Sequence, residues 1–330
     1  KFVRYALSKY SNEDVIDFFK NKGIEILKRK DGKVFPKSLK ASEILDALTK
    51  DIKENIKCNQ NVVKIERKNN EFIIKTEDST YISDKLVIAT GGKTYPKTGS
   101  TGDGYNFAKD LNINLVKLKN GLSNINLKKP LKAISGISVN VDFDLYRKNQ
   151  KVDDYFGDIL FTHKGLSGPV IINNSRYFEK GDILKINFLK LNFQNADEKL
   201  LNILERNSKK QVKNAILDLN LPEKLLKVIL KDINLEIKAA QLSKKNRKRI
   251  IHKLINFQVE IKSIGKLHNA MITVGGVDKR ELNKKTLESK KHNNLYFLGE
   301  VIDVDGDTGG YNIQWAFSSV YVAGKDLNSK

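Results

Sequence analysis

The stretch NLYFLGEVIDVDGDTGGYNIQWAFSS, from Asn294 to Ser319, concentrates residue types that hold polar ligands. Glu300, Asp303, Asp305 and Asp307 are interleaved with Gly299, Gly309 and Gly310, and Asn312-Ile313-Gln314 reads as the first turn of a helix. Carboxylates accept hydrogen bonds from hydroxyls, glycines let backbone come close, and the free N–H groups of a helix start attract negative charge. An apolar strand, then this loop, then a helix places the set at the mouth of a sheet, where a large polar cofactor can be held. Calcium fits less well, because an EF-hand counted from Asp303 needs Gly at its sixth position and Glu at its twelfth, where Thr308 and Gln314 stand. A solvated acidic hairpin explains the acids, but not the helix Trp315-Ala316-Phe317 directly after paired glycines.

Two further segments carry candidate chemistry. Lys85 to Ala89 is a short apolar run of the kind found in buried parallel strands, and it enters Thr90-Gly91-Gly92. Past Pro96, the turn from Thr98 to Gly104, with Gly99, Gly102 and Asp103, leads into a helix expected from Tyr105 to Leu111. Strand, glycine turn and helix in that order form an α/β ligand edge, and a flexible surface loop is the bland alternative. In HKGLSGP, His163 to Pro169, a polar loop lies between apolar segments. His163 is a candidate proton donor there and Ser167 a candidate substrate hydrogen-bonding group, against the commoner structural role of a lone histidine. The histidines at 163, 252, 268 and 292 show no zinc spacing, so no metal is expected, and no GxSxG elbow is present. Cys58 stands alone, which removes a disulfide or a CxxC redox pair.

The elements that must position these groups are readable in outline. Ser11 and Asp14 cap a helix that Gly23 ends, and a second helix is expected from Ser42 to Glu54 with Ile44, Leu45 and Leu48 on one face. Residues 61–67 and 71–76 alternate as a hairpin around Asn69-Asn70. From about Leu118 strands dominate, at Gly136 to Phe143, Gly157 to Phe161 and Asp182 to Leu189, with Pro169 suited to the first turn of a helix. Asn195 to Asn256 turns helical around Leu200, Leu201, Leu204, Leu225, Leu226, Ile229 and Leu230, and strand and glycine signals return at Met271 to Gly276.

With 330 residues, 40% of them hydrophobic, the chain can bury a sizeable core and suits two or three domains. No apolar run reaches the ~18 residues of a membrane helix, and the opening Lys1-Phe2-Val3-Arg4 is too polar for a signal peptide, so a cytoplasmic protein without a membrane partner is expected. The net charge of +21 favours a polyanion partner if the cations share a face, yet only nine of the 60 cations are arginine. The densest cluster, Lys244, Lys245, Arg247, Lys248 and Arg249, reads equally as a nucleic-acid contact or a solvated helix face.

LVIATGGKTYPKTGSTGDGY (Leu86 to Tyr105), FTHKGLSGP (Phe161 to Pro169), ITVGGVD (Ile272 to Asp278) and LGEVIDVDGDTGGYNIQWAFSS (Leu298 to Ser319) together resemble the BaiN/RdsA-like family of FAD-dependent flavoproteins. The similarity runs in order from about Phe2 to Gly324. It implies an α/β fold: an FAD/NAD(P)-binding Rossmann-like domain over 1–117 and 269–330, an inserted β-barrel domain over 118–194 and 257–268, and a helical subdomain over 195–256. By the same resemblance Ala89, Thr90, Gly91 and Gly92 pass close to FAD, and Val63 lies near its adenine. Gly299, Glu300 and Asp303 approach the pyrophosphate and ribitol, and the backbone of Tyr311, Asn312 and Ile313 faces the flavin's pyrimidine edge, with Gly309 and Gly310 giving room. Gly99, Gly102 and Asp103 are counted with the cofactor contacts.

Members of that family begin with a strand, a GxGxxG turn and a Gly- and Arg-rich flavin loop that this sequence lacks. About 70 residues are therefore expected upstream of Lys1, from the ~30-residue size of a βαβ unit plus the following loop. The activity implied is an FAD-dependent oxidoreductase drawing hydride from NAD(P)H, a nicotinamide partner, and reducing a uridine in large-subunit ribosomal RNA or a steroid-like enone. The positive charge favours ribosomal RNA as partner. A non-catalytic RNA-binding or assembly protein on the same scaffold is the alternative from another class.

Overall fold

The computed structural model describes residues 1–266 and 270–330, so His268 lies outside the described residues. Two compact units form, one from Lys1–Lys119 with Met271–Lys330 and the other from Asn120–Ala270.

In the first unit α1 (Arg4–Lys9) is followed by α2 (Asn12–Asn21). Ser11 starts α2 by a reciprocal capping box: its hydroxyl accepts from the Asp14 N–H, while the Asp14 carboxylate accepts from the Ser11 N–H at 2.7 Å. β1 (Ile26–Lys28) and β2 (Val34–Pro36) make a small antiparallel pair. The second helix is shorter than its sequence predicts, with α3 (Ala41–Thr49) tightening into a 3₁₀ turn over Lys50–Asn55. Its inward face also differs from expectation. Leu45 is 59% exposed and Leu48 38%, while Ile44 and Ala47, three apart, pack with Phe19 and Ile24. The small Ala47 marks the contact line that the bulkier leucines had suggested elsewhere.

β3 (Val62–Lys68), β4 (Glu71–Thr76) and β5 (Thr80–Ser83) form an antiparallel meander. Its first turn places Asn69 at φ 51° and Asn70 at φ 67°, the twist a two-residue hairpin requires. β6 (Leu86–Ile88) then leads through the 90–102 loop to α4 (Asp103–Asp110) and β7 (Leu115–Gly121).

The second unit is built on a closed six-stranded barrel. Its strands are β8 (Ile125–Leu127), β9 (Ser138–Arg147), β10 (Gln150–Phe161), β11 (Gly165–Ser167), β12 (Ile183–Asn187) and β13 (Phe257–Ile264), in the order β10-β11-β8-β13-β12-β9. Val139, Val141, Phe143 and Leu145 alternate inward along β9, the period of two that fills a small barrel with side chains. α5 (Pro169–Asn174) begins at the expected proline, and α6 (Phe193–Arg206), α7 (Val212–Ala215), α8 (Glu223–Ile229) and α9 (Lys244–Ile255) follow. Leu200, Leu226, Ile250 and Leu254 from these helices join the barrel residues in one apolar core. The chain returns to the first unit with β14 (Ile272–Val277) beside β7, β15 (Leu295–Phe297) beside β6, and the long helix α10 (Tyr311–Ser329).

Arg247 on α9 makes a bidentate pair with Asp197 on α6 at 2.9 and 3.0 Å, with side-chain exposures of 15% and 22%. The guanidinium holds the Asp197 carboxyl below its ordinary value. Breaking one side of a largely buried pair leaves the other charge unanswered. Arg247→Ala is expected to cost about 3 kcal/mol in urea unfolding, whereas Lys245→Ala, at an exposed position, should stay within about 0.5 kcal/mol.

Candidate functional site

The parallel register Leu86↔Leu295, Val87↔Tyr296 and Ile88↔Phe297 makes β6 and β15 end together. The Leu298 N–H closes the pair on the Ile88 carbonyl at 3.0 Å. Ala89, Thr90, Gly91 and Gly92 therefore leave the sheet at the same edge as Gly299 and Glu300. This is the carboxyl end of parallel strands, where α/β proteins bind ligands.

Glu300 organises that edge. Its Oε1 accepts the Thr273 N–H at 2.8 Å, and Thr273 Oγ1 accepts the Lys93 N–H at 2.7 Å. Gly92 is buried against this clasp. A Cβ on Gly92 would overlap Glu300 Oε1 and come within 2.5 Å of Thr273 Oγ1, so the second glycine of the pair is required by contact. Burial pushes the Glu300 carboxyl up, opposed by the hydrogen bonds from Thr273. Tyr105 of α4 stands beside the pair, its hydroxyl buried, close to Thr273, and short of a completed hydrogen bond. Burial and the neighbouring Glu300 charge raise its pKa.

The loop that follows is held by α10. The Gly299 N–H donates to Ser319 Oγ at 3.0 Å, and Trp315 Nε1 donates to the Gly299 carbonyl at 3.1 Å. Asn312 clasps Gly306 from both sides, accepting its N–H at 2.8 Å and donating to its carbonyl at 3.0 Å. Gly310, at φ 97°, is the N-cap of α10, and Tyr311 and Ile313 are exposed at 63% and 65%. The first N–H groups of such a helix have no partner inside it. Asp303 is engaged differently from the sequence expectation: Lys279 Nζ donates to both its carboxylate, at 2.7 Å, and its carbonyl, at 2.6 Å. Its carboxylate answers an internal ammonium.

The remaining candidates are dispersed. Val63 lies exposed on β3, and Gly99 and Gly102 sit in the loop before α4, where the Thr101 hydroxyl donates to the Asp103 carboxylate. In the second unit His163 is exposed at the tip of the tight turn between β10 and β11, closed by the Thr162 N–H on the Gly165 carbonyl at 2.8 Å. Ser167 follows on β11, opposite Leu160. The basic cluster divides: Lys244, Lys245 and Lys248 are exposed, Arg247 is held by Asp197, and Arg249 reaches Asp232 at 3.0 Å. Among the described residues no group of His, Cys, Asp or Glu is arranged to hold a metal ion. Thr273, Lys93, Tyr105 and Lys279 were not singled out from sequence, because Thr273 and Lys93 are 180 residues apart and only the fold joins them.

The chain matches the HI0933-like protein Rossmann domain over residues 1–326. It is 30% identical over 339 residues to the ribosomal RNA dihydrouridine synthase of Escherichia coli (strain K12), covering 99% of this chain and 82% of that protein. The ribosomal RNA dihydrouridine synthase of Haemophilus influenzae is 30% identical over 338 residues, with the same shares covered. The 3-dehydro-bile acid delta(4,6)-reductase of Clostridium scindens is 26% identical over 337 residues, covering 98% of this chain and 82% of that protein.

The Glu300 clasp makes a signed prediction. A carboxyl whose folded pKa is raised contributes stability that is present below its unfolded value and lost as pH rises through the folded value. Glu300→Gln keeps an acceptor for Thr273 and removes the buried charge. It should match or exceed the parent in urea unfolding at neutral pH, with the difference closing as pH falls. Glu300→Ala, which strands the Thr273 N–H, should lose about 1–3 kcal/mol.

Proposed function

We propose, for a chain that belongs to the HI0933-like Rossmann family, an FAD-dependent reduction of an unsaturated substrate driven by NADH or NADPH. The substrate we assign is a uridine of large-subunit ribosomal RNA, with dihydrouridine as product. Family membership, as the four sequence motifs anticipated, relates the chain to flavoprotein oxidoreductases. The FAD reading rests chiefly on one observation: two parallel strands end together on a glycine pair whose second member is packed against the Glu300–Thr273 clasp.

That edge suits FAD in its chemistry. Gly91 offers backbone that a long, flat cofactor can approach, with Gly92 buried against the clasp behind it, and Gly309 and Gly310 open the start of a 19-residue helix. The free N–H groups of Tyr311, Asn312 and Ile313, with the helix's partial positive charge, would stabilise negative charge by about 0.3–1 kcal/mol. When bound, FAD supplies the hydride chemistry. The chain's own task is to hold that group, exclude water and deliver a proton. His163, exposed at its turn, is the proposed proton donor, and Ser167 the proposed substrate contact. RNA is favoured over a steroid-like enone by the net charge of +21 and by two relatives named for ribosomal RNA at 30% identity.

Adding FAD to the purified full-length gene product should quench flavin fluorescence, and NADH or NADPH should then bleach the yellow colour. Mass spectrometry of ribosomal RNA from cells lacking the gene should show a uridine that no longer gains two hydrogens, restored by the intact gene. A full-length gene product that binds RNA but never flavin would favour the non-catalytic reading instead, and turnover of an enone with no change in ribosomal RNA would sink the RNA assignment. His163→Gln should lower turnover by about 10²–10⁴-fold at unchanged flavin affinity if the histidine donates the proton.

A further inference from the structure

In the first unit a cleft of about 320 Å³ opens beside α4, and its lining includes Lys93, Lys109, Lys117, Asn106 and Thr101. No carboxylate lines it among the described residues. All three lysines are exposed, and none has a carboxylate partner among the described residues. Other lysines of the same unit do find one: Lys279 pairs with Asp303 at 2.7 Å and Lys291 with Glu281 at 3.0 Å. Leaving three ammonium groups unanswered around one concavity raises its positive potential, which an anion would relieve.

Lys93 is placed for this rather than left to wander. Its backbone N–H is fixed on Thr273 Oγ1 at 2.7 Å, and its stem crosses Gly102, where an added Cβ would lie 3.2 Å from both Cγ and Cδ. Gly102 also sits at φ 90°, so a side chain there would be strained in its backbone as well as crowded by that stem. Asn106 adds an amide, Thr101 a hydroxyl, and Leu115, Val116 and Leu118 an apolar wall. Point-like ammonium charges with neutral donors suit phosphate oxygens. The apolar wall and the volume leave room for the nucleoside that carries them.

We propose that this cleft is a nucleotide phosphate subsite formed by Lys93, Lys109 and Lys117. It deepens the proposed function and rests on it for its occupants, while its test measures binding without turnover, so that failure of the subsite and failure of the enzyme reading are told apart. Two sources present this chemistry, an RNA strand and the phosphates of a nicotinamide dinucleotide. The test compares the intact chain with a triple variant, Lys93→Gln, Lys109→Gln and Lys117→Gln, and with its Lys→Arg counterpart. Single-stranded oligouridylate is titrated at several salt concentrations, and NADPH and NADH are titrated separately.

If the occupant is RNA, the glutamine variant should bind it about tenfold or more weakly, with the log–log salt slope flattened by about 2, and the arginine variant should bind like the parent. If the occupant is a dinucleotide, the loss should appear with NADPH or NADH and spare RNA. Unchanged affinity for all three probes would overturn the subsite. Should the triple glutamine variant fail to fold, Lys109→Gln and Lys117→Gln singly should each flatten the RNA slope by about 0.7 or weaken the dinucleotide, and neither effect would again overturn it.

Discussion

A carboxylate removed from water must be answered by donors, and in the first unit the answer to Glu300 comes from a segment far away in sequence. Thr273 supplies its N–H to Glu300 and its hydroxyl to the backbone of Lys93. The glycine pair after β6, the start of β14 and the end of β15 are thereby tied into one small assembly. Remove the hydroxyl or add a carbon at Gly92, and the three segments lose their common reference. The same assembly fixes the root of Lys93 and borders Tyr105, so the cofactor edge and the lysine-lined cleft share a foundation.

Most of the arginines are engaged by a carboxylate or lie over an aromatic ring. Arg147 binds Asp182 and Glu179, Arg247 binds Asp197, Arg249 binds Asp232 and Arg280 binds Asp278. Arg67 lies over Phe72 and Arg176 over Tyr177. The planar, forked group is used for internal fastening, which its geometry favours. Lysine does both kinds of work, pairing at Lys279, Lys291 and Lys330 and standing exposed at Lys244 and Lys245. A cluster that looks uniform in sequence, from Lys244 to Arg249, therefore separates into paired arginines and exposed lysines once folded.

Much of this was legible beforehand, where the determinants are local. The capping box at Ser11, the Asn69-Asn70 hairpin, the helix start at Pro169 and the strand before Gly91 depend on neighbours within a few residues. The Rossmann-like class followed from four ordered motifs. What escaped was set by packing across distance. The inward face of α3 went to Ile44 and Ala47 because a small side chain permits close contact, which hydrophobicity alone does not reveal. Asp303 read as a hydroxyl acceptor and is the partner of Lys279, while Asn312 read as backbone and acts through its amide. A spacing of residues cannot announce a bond made only after two strands have met.

The strand pairings also impose a timetable on a ribosome-bound chain. The second unit closes when β13 reaches β8, as Asn126 meets Ser263 across 137 residues, and everything it needs has then been made. The first unit cannot close by that moment. β6 waits for β15, and Lys85 finds the Leu327 carbonyl only after 242 further residues. The interrupted unit is thus the last to complete, although its first segments precede the inserted unit, and during that interval Ile65, Phe72 and Ile88 lack the partners that later bury them. Loop closure over such spans is slow, and exposed apolar strands invite mispairing. The inserted unit acts as a delay line in synthesis: it separates in time two halves that must recognise each other late.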